Sequence, residues 1–273
     1  MNNFLRHYLQ RCSEIRLTLV SSGLSFMTLL AVVPFLTVVL LVSHLSPYVD
    51  TLTDAFVVAF NQTAFPTEAA DIAVYINRFK HHAEHLGGIS LAAFSLIALL
   101  FVRTIDNTLC IVWREQQEKR SRRRLLIYPA LLVLLPLFIG LISLLRDVLA
   151  VQLPELANAL SALLSLLSAT LLLWLPYRFV PKRRAPEYCP LLTAFGVALL
   201  MKAARYIFTW YSGLVDGYEP IYGATAALLL FMLWLNVMWM LVLCGAVWTA
   251  VWSEHSLHYS KHKLDTPESG KKR

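Results

Sequence analysis

The sequence predicts an all-α, polytopic membrane protein: a six-transmembrane helical bundle with amphipathic helices in its first external loop. Three observations carry that expectation. Hydrophobic residues make up 58% of the 273 and charged residues only 15%, where a soluble domain carries about 25% charge. Six apolar stretches each reach about 20 residues, enough to cross a hydrocarbon core of roughly 30 Å at 1.5 Å per residue. The basic residues collect in alternate connections between those stretches. With mean hydropathy +0.59, no large soluble domain fits beside the spans.

The expected spans are 23–43, 88–111, 125–145, 157–177, 191–212 and 223–250, which makes 1–252 a single membrane domain. Before the first of them stands "MNNFLRHYLQRCSEIRLTLVSSG". The apolar run that follows is too long for the core of a signal peptide, and no small-x-small site ends it, so the first helix is expected to stay as a span. In the first loop, "DTLTDAFVVAFNQ" reads as a short helix broken at Pro66. "DIAVYINRFKHHAEHL" then sets Ile72, Ile76, Phe79, Ala83 and Leu86 on one stripe of an amphipathic helix. Pro34, Pro129 and Pro136 interrupt spans, where a freed carbonyl bends a helix. The tail, 253–273, is polar without apolar period and is expected to be disordered. The sequence shows no internal repeat of the inverted-transporter kind.

Charge sets the expected orientation. The N-terminal segment, the second and fourth loops and the tail hold eighteen basic residues; the first, third and fifth loops hold three. Both termini and the even loops are therefore expected in the cytoplasm. The densest run, "REQQEKRSRRR" (residues 114–124), is flanked by apolar spans and reads as a topology determinant against anionic inner-leaflet headgroups. It lacks the interleaved aromatics that stack on bases, so nucleic acid is not an expected partner. Cysteines introduced near Thr63 or Gly217 should label from outside the inner membrane, and those near Ser121 or Arg184 should not. Reversed labelling would overturn the orientation. Arg122, Arg123 and Arg124 changed together to Gln should lower membrane abundance with no loss of RNA cleavage, because none is expected.

Four segments carry a resemblance. "LSFMTLLAVVPFLTVVLL", "TIDNTLCIVWR", "WLPYRFVP" and "YEPIYGATAALLLFMLWL", in that order, resemble the first-span, second-span, fourth-span and last-span segments of the YihY/BrkB family of bacterial inner-membrane proteins. The resemblance covers most of the chain and implies a six-span helical protein of the cytoplasmic membrane with links to the cell envelope. The family was once mislabelled a ribonuclease, and nothing in this sequence revives that label. In one place the chain departs from the pattern. Many members have an acidic residue after "LLGA" in the last span, whereas this chain reads "LVLCGAVWTA" with Val247 there.

Charges inside spans are the candidate site, because a cation near the bilayer centre costs a few kcal/mol on insertion scales. Arg103 stands about 15 Å along its helix from the interfacial anchor Trp113, with Asp106 and Asn107 at i+3 and i+4. Lys202 lies about 16 Å into the fifth span, with Arg205 one turn further and Glu219 in the loop beyond. Three cations face one anion, and a surplus of that sign suits an anionic group such as a lipid phosphate. A purely structural reading pairs Arg103 with Asp106 and lets Arg205 snorkel toward Glu219. His81 and His85 have metal-ligand spacing, but no third ligand is evident and a polar helix face explains them. The four cysteines are scattered and read as small buried hydrophobes. No nucleophile, Walker or paired-carboxylate motif is present, and no cofactor is implied.

The expected function is a non-enzymatic inner-membrane envelope role, handling or transporting an anionic lipid or amphiphile, with membrane lipids as partners. The alternatives are a scaffold that moves nothing and, behind it, a membrane-embedded lipid-modifying enzyme. Homo-oligomerisation stays open.

Overall fold

A computed structural model describes residues 2–43, 88–114, 157–179, 188–215 and 224–264, with Leu145 and Pro181 singly. In chain order the helices are α1 (Asn2–Ile15), α2 (Leu17–Ser43), α3 (Gly88–Val112), α4 (Ala157–Phe179), α5 (Tyr188–Val215) and α6 (Ala224–Leu264). The expected stretches 23–43, 88–111, 157–177, 191–212 and 223–250 fall on α2 to α6. The stretch 125–145 apart from Leu145, the first-loop helices and Glu219 lie outside the described residues. Three segments are each long and apolar enough to cross a membrane: Ala162–Phe179, Tyr188–Tyr211 and Leu229–His255. A fourth is added if Phe4–Ile15 and Leu17–Ala31, bent by 52°, are taken as one.

That bend has a local cause. Arg16 adopts φ 53°, the left-handed conformation that ends a helix, and its amide donates to the Ser13 carbonyl at 3.0 Å. Its own carbonyl accepts from the Leu19 and Val20 amides, opening α2. Arg114, at φ 51°, closes α3 in the same way, donating to the Ile111 carbonyl at 3.1 Å. Helix α5 takes Pro190 in its first turn, where no intrahelical N–H is missed. Pro176, by contrast, sits inside α4. Serine and threonine hydroxyls along the helices donate back to carbonyls one turn earlier, as Thr28 does to Leu24, Thr193 to Cys189 and Thr249 to Gly245.

Helix α6 is the axis of the fold. It packs on α1, α2, α3, α4 and α5, while α2 also packs on α3 and α4 on α5. Its 41 residues reach about 60 Å, twice the hydrocarbon thickness, so it projects beyond any bilayer its middle crosses. It runs past the expected span end at 250 and on to Leu264. The main core joins Leu24, Val112, Tyr177, Ala194, Val197, Leu243 and Val247 at the end of the bundle where α1 docks. A smaller cluster, Phe208, Phe231 and Trp234, lies toward the other end. Val247, where the resemblance implies an acidic residue, is fully buried in the main core. A side chain of that shape fills the site with apolar packing.

Candidate functional site

Helix α1 carries Phe4, Tyr8, Arg11, Cys12 and Ile15 at steps of four, three, one and three, a single helical face. That face docks on the bundle. Phe4 and Tyr8 meet the Trp248 ring edge-on, with centroids 5.0 and 5.2 Å apart, and the Tyr8 hydroxyl reaches the Cys244 carbonyl at 3.5 Å. Burial, aided by Cys244 and Cys12, pushes the Tyr8 hydroxyl above its ordinary pKa. Burial likewise pushes the Cys12 thiol up, which keeps it unreactive.

Arg11 lies in the middle of this face and is 1% exposed. Its Nη1 donates to both carboxylate oxygens of Glu254 at 3.0 Å, and its Nη2 donates to the Val112 carbonyl at 3.1 Å. Val112 is the last residue of α3, where carbonyls lack intrahelical partners, so one guanidinium ties α1, the end of α3 and α6 together. The remaining donor, Nε, is buried without a hydrogen-bond partner. Close by, Arg114 pairs with Glu14 at 2.7 Å, both half exposed. An exposed pair of this kind contributes little, about 0–1 kcal/mol.

A second polar seam joins α2 to α6. Asn236 donates to the Ser22 hydroxyl at 2.7 Å and accepts from Ser21 at 3.2 Å, while the Trp239 indole donates to Thr28 at 2.8 Å. Tyr177 of α4 is buried and donates to the Val242 carbonyl of α6 at 2.7 Å.

The expected site residues separate into two groups. Asp106 is buried and engaged, Asn107 is half-buried beside it, and Arg103 is exposed on α3. Lys202 and Arg205, both half-buried, share a face of α5. Lys202 donates to the Ser165 hydroxyl of α4 at 2.5 Å. Ser165 and Lys202 are equally far, about 21 Å at 1.5 Å per residue, from the neighbouring helix ends Phe179 and Tyr188. The ammonium thus meets a neutral partner deep in the helix pair. Helix α3 packs on α2 and α6, and α5 on α4 and α6. Arg103 and Lys202 therefore stand on helices whose shared neighbour is α6. No three His, Cys, Asp or Glu side chains gather into a metal set among the described residues, and His81 and His85 lie outside them.

Sequence reading missed Arg11, Glu254 and Ser165. Arg11 was counted only as a topology charge, although its place on the Phe4–Tyr8–Ile15 face marks it as inward. Glu254, at the end of "AVWTAVWSEHS", is the nearest acid to the last span on its basic side. Ser165, one serine among several in α4, gives no such signal.

The family described as virulence factor BrkB matches residues 8–270. A UPF0761 membrane protein of Neisseria meningitidis serogroup B is 40% identical over 247 residues, which are 88% of this chain and 61% of that protein. One from Chromobacterium violaceum is 31% identical over 259 residues, 92% of this chain and 62% of its own length. One from Alkalilimnicola ehrlichii is 33% identical over 245 residues, 87% and 55%. The chain spans about three-fifths of the length of these curated relatives. No solved structure matches it.

Proposed function

From the premise that this chain belongs to the virulence factor BrkB family of membrane proteins, we propose that it is a non-enzymatic inner-membrane protein handling an anionic lipid or similar amphiphile. In this reading its termini face the cytoplasm, as the charge bias expects. The observation that carries it is the Lys202–Arg205 pair. Two cations share one face of α5, Lys202 near the middle of its apolar segment and Arg205 one turn beyond, and among the described residues neither has an ion-pair partner. Ser165 accepts a bond from Lys202 but brings no charge. A phosphate or carboxylate headgroup entering along the α4–α5 seam would supply the missing anion by charge-assisted hydrogen bonds. Arg103, exposed on α3, offers a further cation, with Asp106 and Asn107 beside it; Glu219 follows Arg205 in the chain.

Lys202→Gln keeps a donor for Ser165 and removes the charge. Protein in nanodiscs made with phosphatidylglycerol should then retain severalfold less anionic lipid by native mass spectrometry, at unchanged membrane abundance. Unchanged lipid retention would favour the scaffold reading. Asp106→Asn should behave in the opposite manner. Its carboxylate is buried and engaged, so the change should lower abundance, with lipid retained per molecule little altered.

A further inference from the structure

The apolar sector of α1 is wider than the bundle covers. Taking 100° per residue, Phe4, Tyr8, Arg11 and Ile15 fall within one narrow sector and are the side turned to α6. Leu5 and Leu9 lie on its flank, one turn apart, and remain 51% and 58% exposed. Past them come Ser13 and Arg6, then Gln10, Glu14 and His7, all exposed. The helix therefore has three sides: one docked on protein, one apolar and uncovered, one polar.

Position says what covers the second side. Helix α1 leads through the 52° bend into α2, whose own exposed side chains include Leu19, Phe26 and Leu30. Those are lipid-facing if α2 spans, and Leu5 and Leu9 are exposed apolar side chains on the helix joined to it. The arginines that frame the flank, Arg6 and Arg16, are both exposed. Glu14, the acid of the helix, is held by Arg114 toward the polar side. An apolar flank with, at its rim, two cations that have no ion-pair partner among the described residues fits the headgroup–acyl boundary of an anionic leaflet, with the leucines a few ångströms below the phosphates.

We infer that α1 is an interfacial helix, clamped to the bundle by Arg11 and inserted by Leu5 and Leu9 into the leaflet on its side of the membrane. Its partner there is anionic lipid, gripped by Arg6 and Arg16. This differs from the Lys202–Arg205 site in residues, helix and depth. An isolated α1 would bind weakly, because two leucines bury little surface. Anchored at both its docked face and α2, it stays at the boundary without paying association entropy.

The test uses the full chain in nanodiscs. A nitroxide is placed at Leu5→Cys, Leu9→Cys or Gln10→Cys, in a parent carrying Cys12→Ala and Cys244→Ala; the unsubstituted parent gives the background from buried Cys110 and Cys189. Labels at 5 and 9 should collide with oxygen in preference to a water-soluble nickel chelate, and the label at 10 should show the reverse. The contrast should deepen when phosphatidylglycerol replaces part of a phosphatidylcholine bilayer, and Arg6→Gln with Arg16→Gln should erase that dependence. Labels at 5 and 9 as open to the chelate as the label at 10 would overturn the inference. So would labels shielded from both reagents, which would mean that protein covers the flank. Retention of the dependence in the double variant would overturn the part given to the arginines.

Discussion

Removing Glu254 should cost more than removing the arginine it serves. Glu254→Ala leaves the Arg11 guanidinium buried at 1% exposure with the Val112 carbonyl as its remaining acceptor. Stranding a buried charge costs about 3–5 kcal/mol. Because the Glu254 side chain is 36% exposed, water relieves part of the loss, and about 3 kcal/mol is the expected effect. Arg11→Met removes the charge that needed a partner and returns Glu254 to water from its open side, so its cost should be nearer 1–2 kcal/mol. The double variant should then be more stable than Glu254→Ala alone. Arg114→Gln, which breaks the exposed pair with Glu14, should cost less than about 1 kcal/mol. Thermal unfolding in detergent orders the four. If Arg11→Met, which keeps an apolar stem, is the worst, the guanidinium's bonds to Glu254 and the Val112 carbonyl stabilise the junction by more than a stranded charge costs.

The clamp also shows what a sequence reveals about a membrane protein and what it hides. Long apolar runs specify helices almost by themselves, because a backbone in lipid must satisfy its own hydrogen bonds. The stretches on α2, α3, α4, α5 and α6 were therefore legible. Side-chain partners were not, since they depend on which helices meet. Lys202 and Ser165 pair across α4 and α5 at matching distances from the joining loop, a register that neither residue signals alone. Arg11 was counted with the topology charges because the positive-inside bias explains any arginine at that end equally well. Only its place among Phe4, Tyr8 and Ile15 separates it from exposed Arg6 and Arg16. The last helix was expected to end near the membrane boundary, where apolar periodicity stops. It continues through a polar stretch to Leu264, because lengthening an existing helix avoids the cost of nucleating one.

Gly245 is the other position where a small change should have a large effect. A Cβ there would stand 2.5 Å from Val197 Cγ2 and 2.6 Å from Tyr177 Oη, so α4, α5 and α6 converge on the space a hydrogen occupies. Alanine is the better helix former by about 1 kcal/mol, and in an open site Gly245→Ala would stabilise α6. Here overpacking of about 1–3 kcal/mol should outweigh that gain. Two things must give: the Val197 methyl, which is wedged in the main core, and the Tyr177 hydroxyl, which is held on the Val242 carbonyl at 2.7 Å. Val197→Ala alone removes two buried methyls and should cost about 2 kcal/mol or more, transfer and cavity together. Combined with Gly245→Ala, it removes the Cγ2 methyl that meets the added Cβ, and the pair should be less destabilised than the sum by about 1 kcal/mol or more. Tyr177→Phe loses one hydrogen bond, about 1 kcal/mol, yet it too should rescue part of Gly245→Ala by withdrawing the oxygen from the clash. Strictly additive losses in both double variants would mean that the three helices do not approach this closely. Rescue by Val197→Ala without rescue by Tyr177→Phe would place the contact between α5 and α6, with α4 free to draw back.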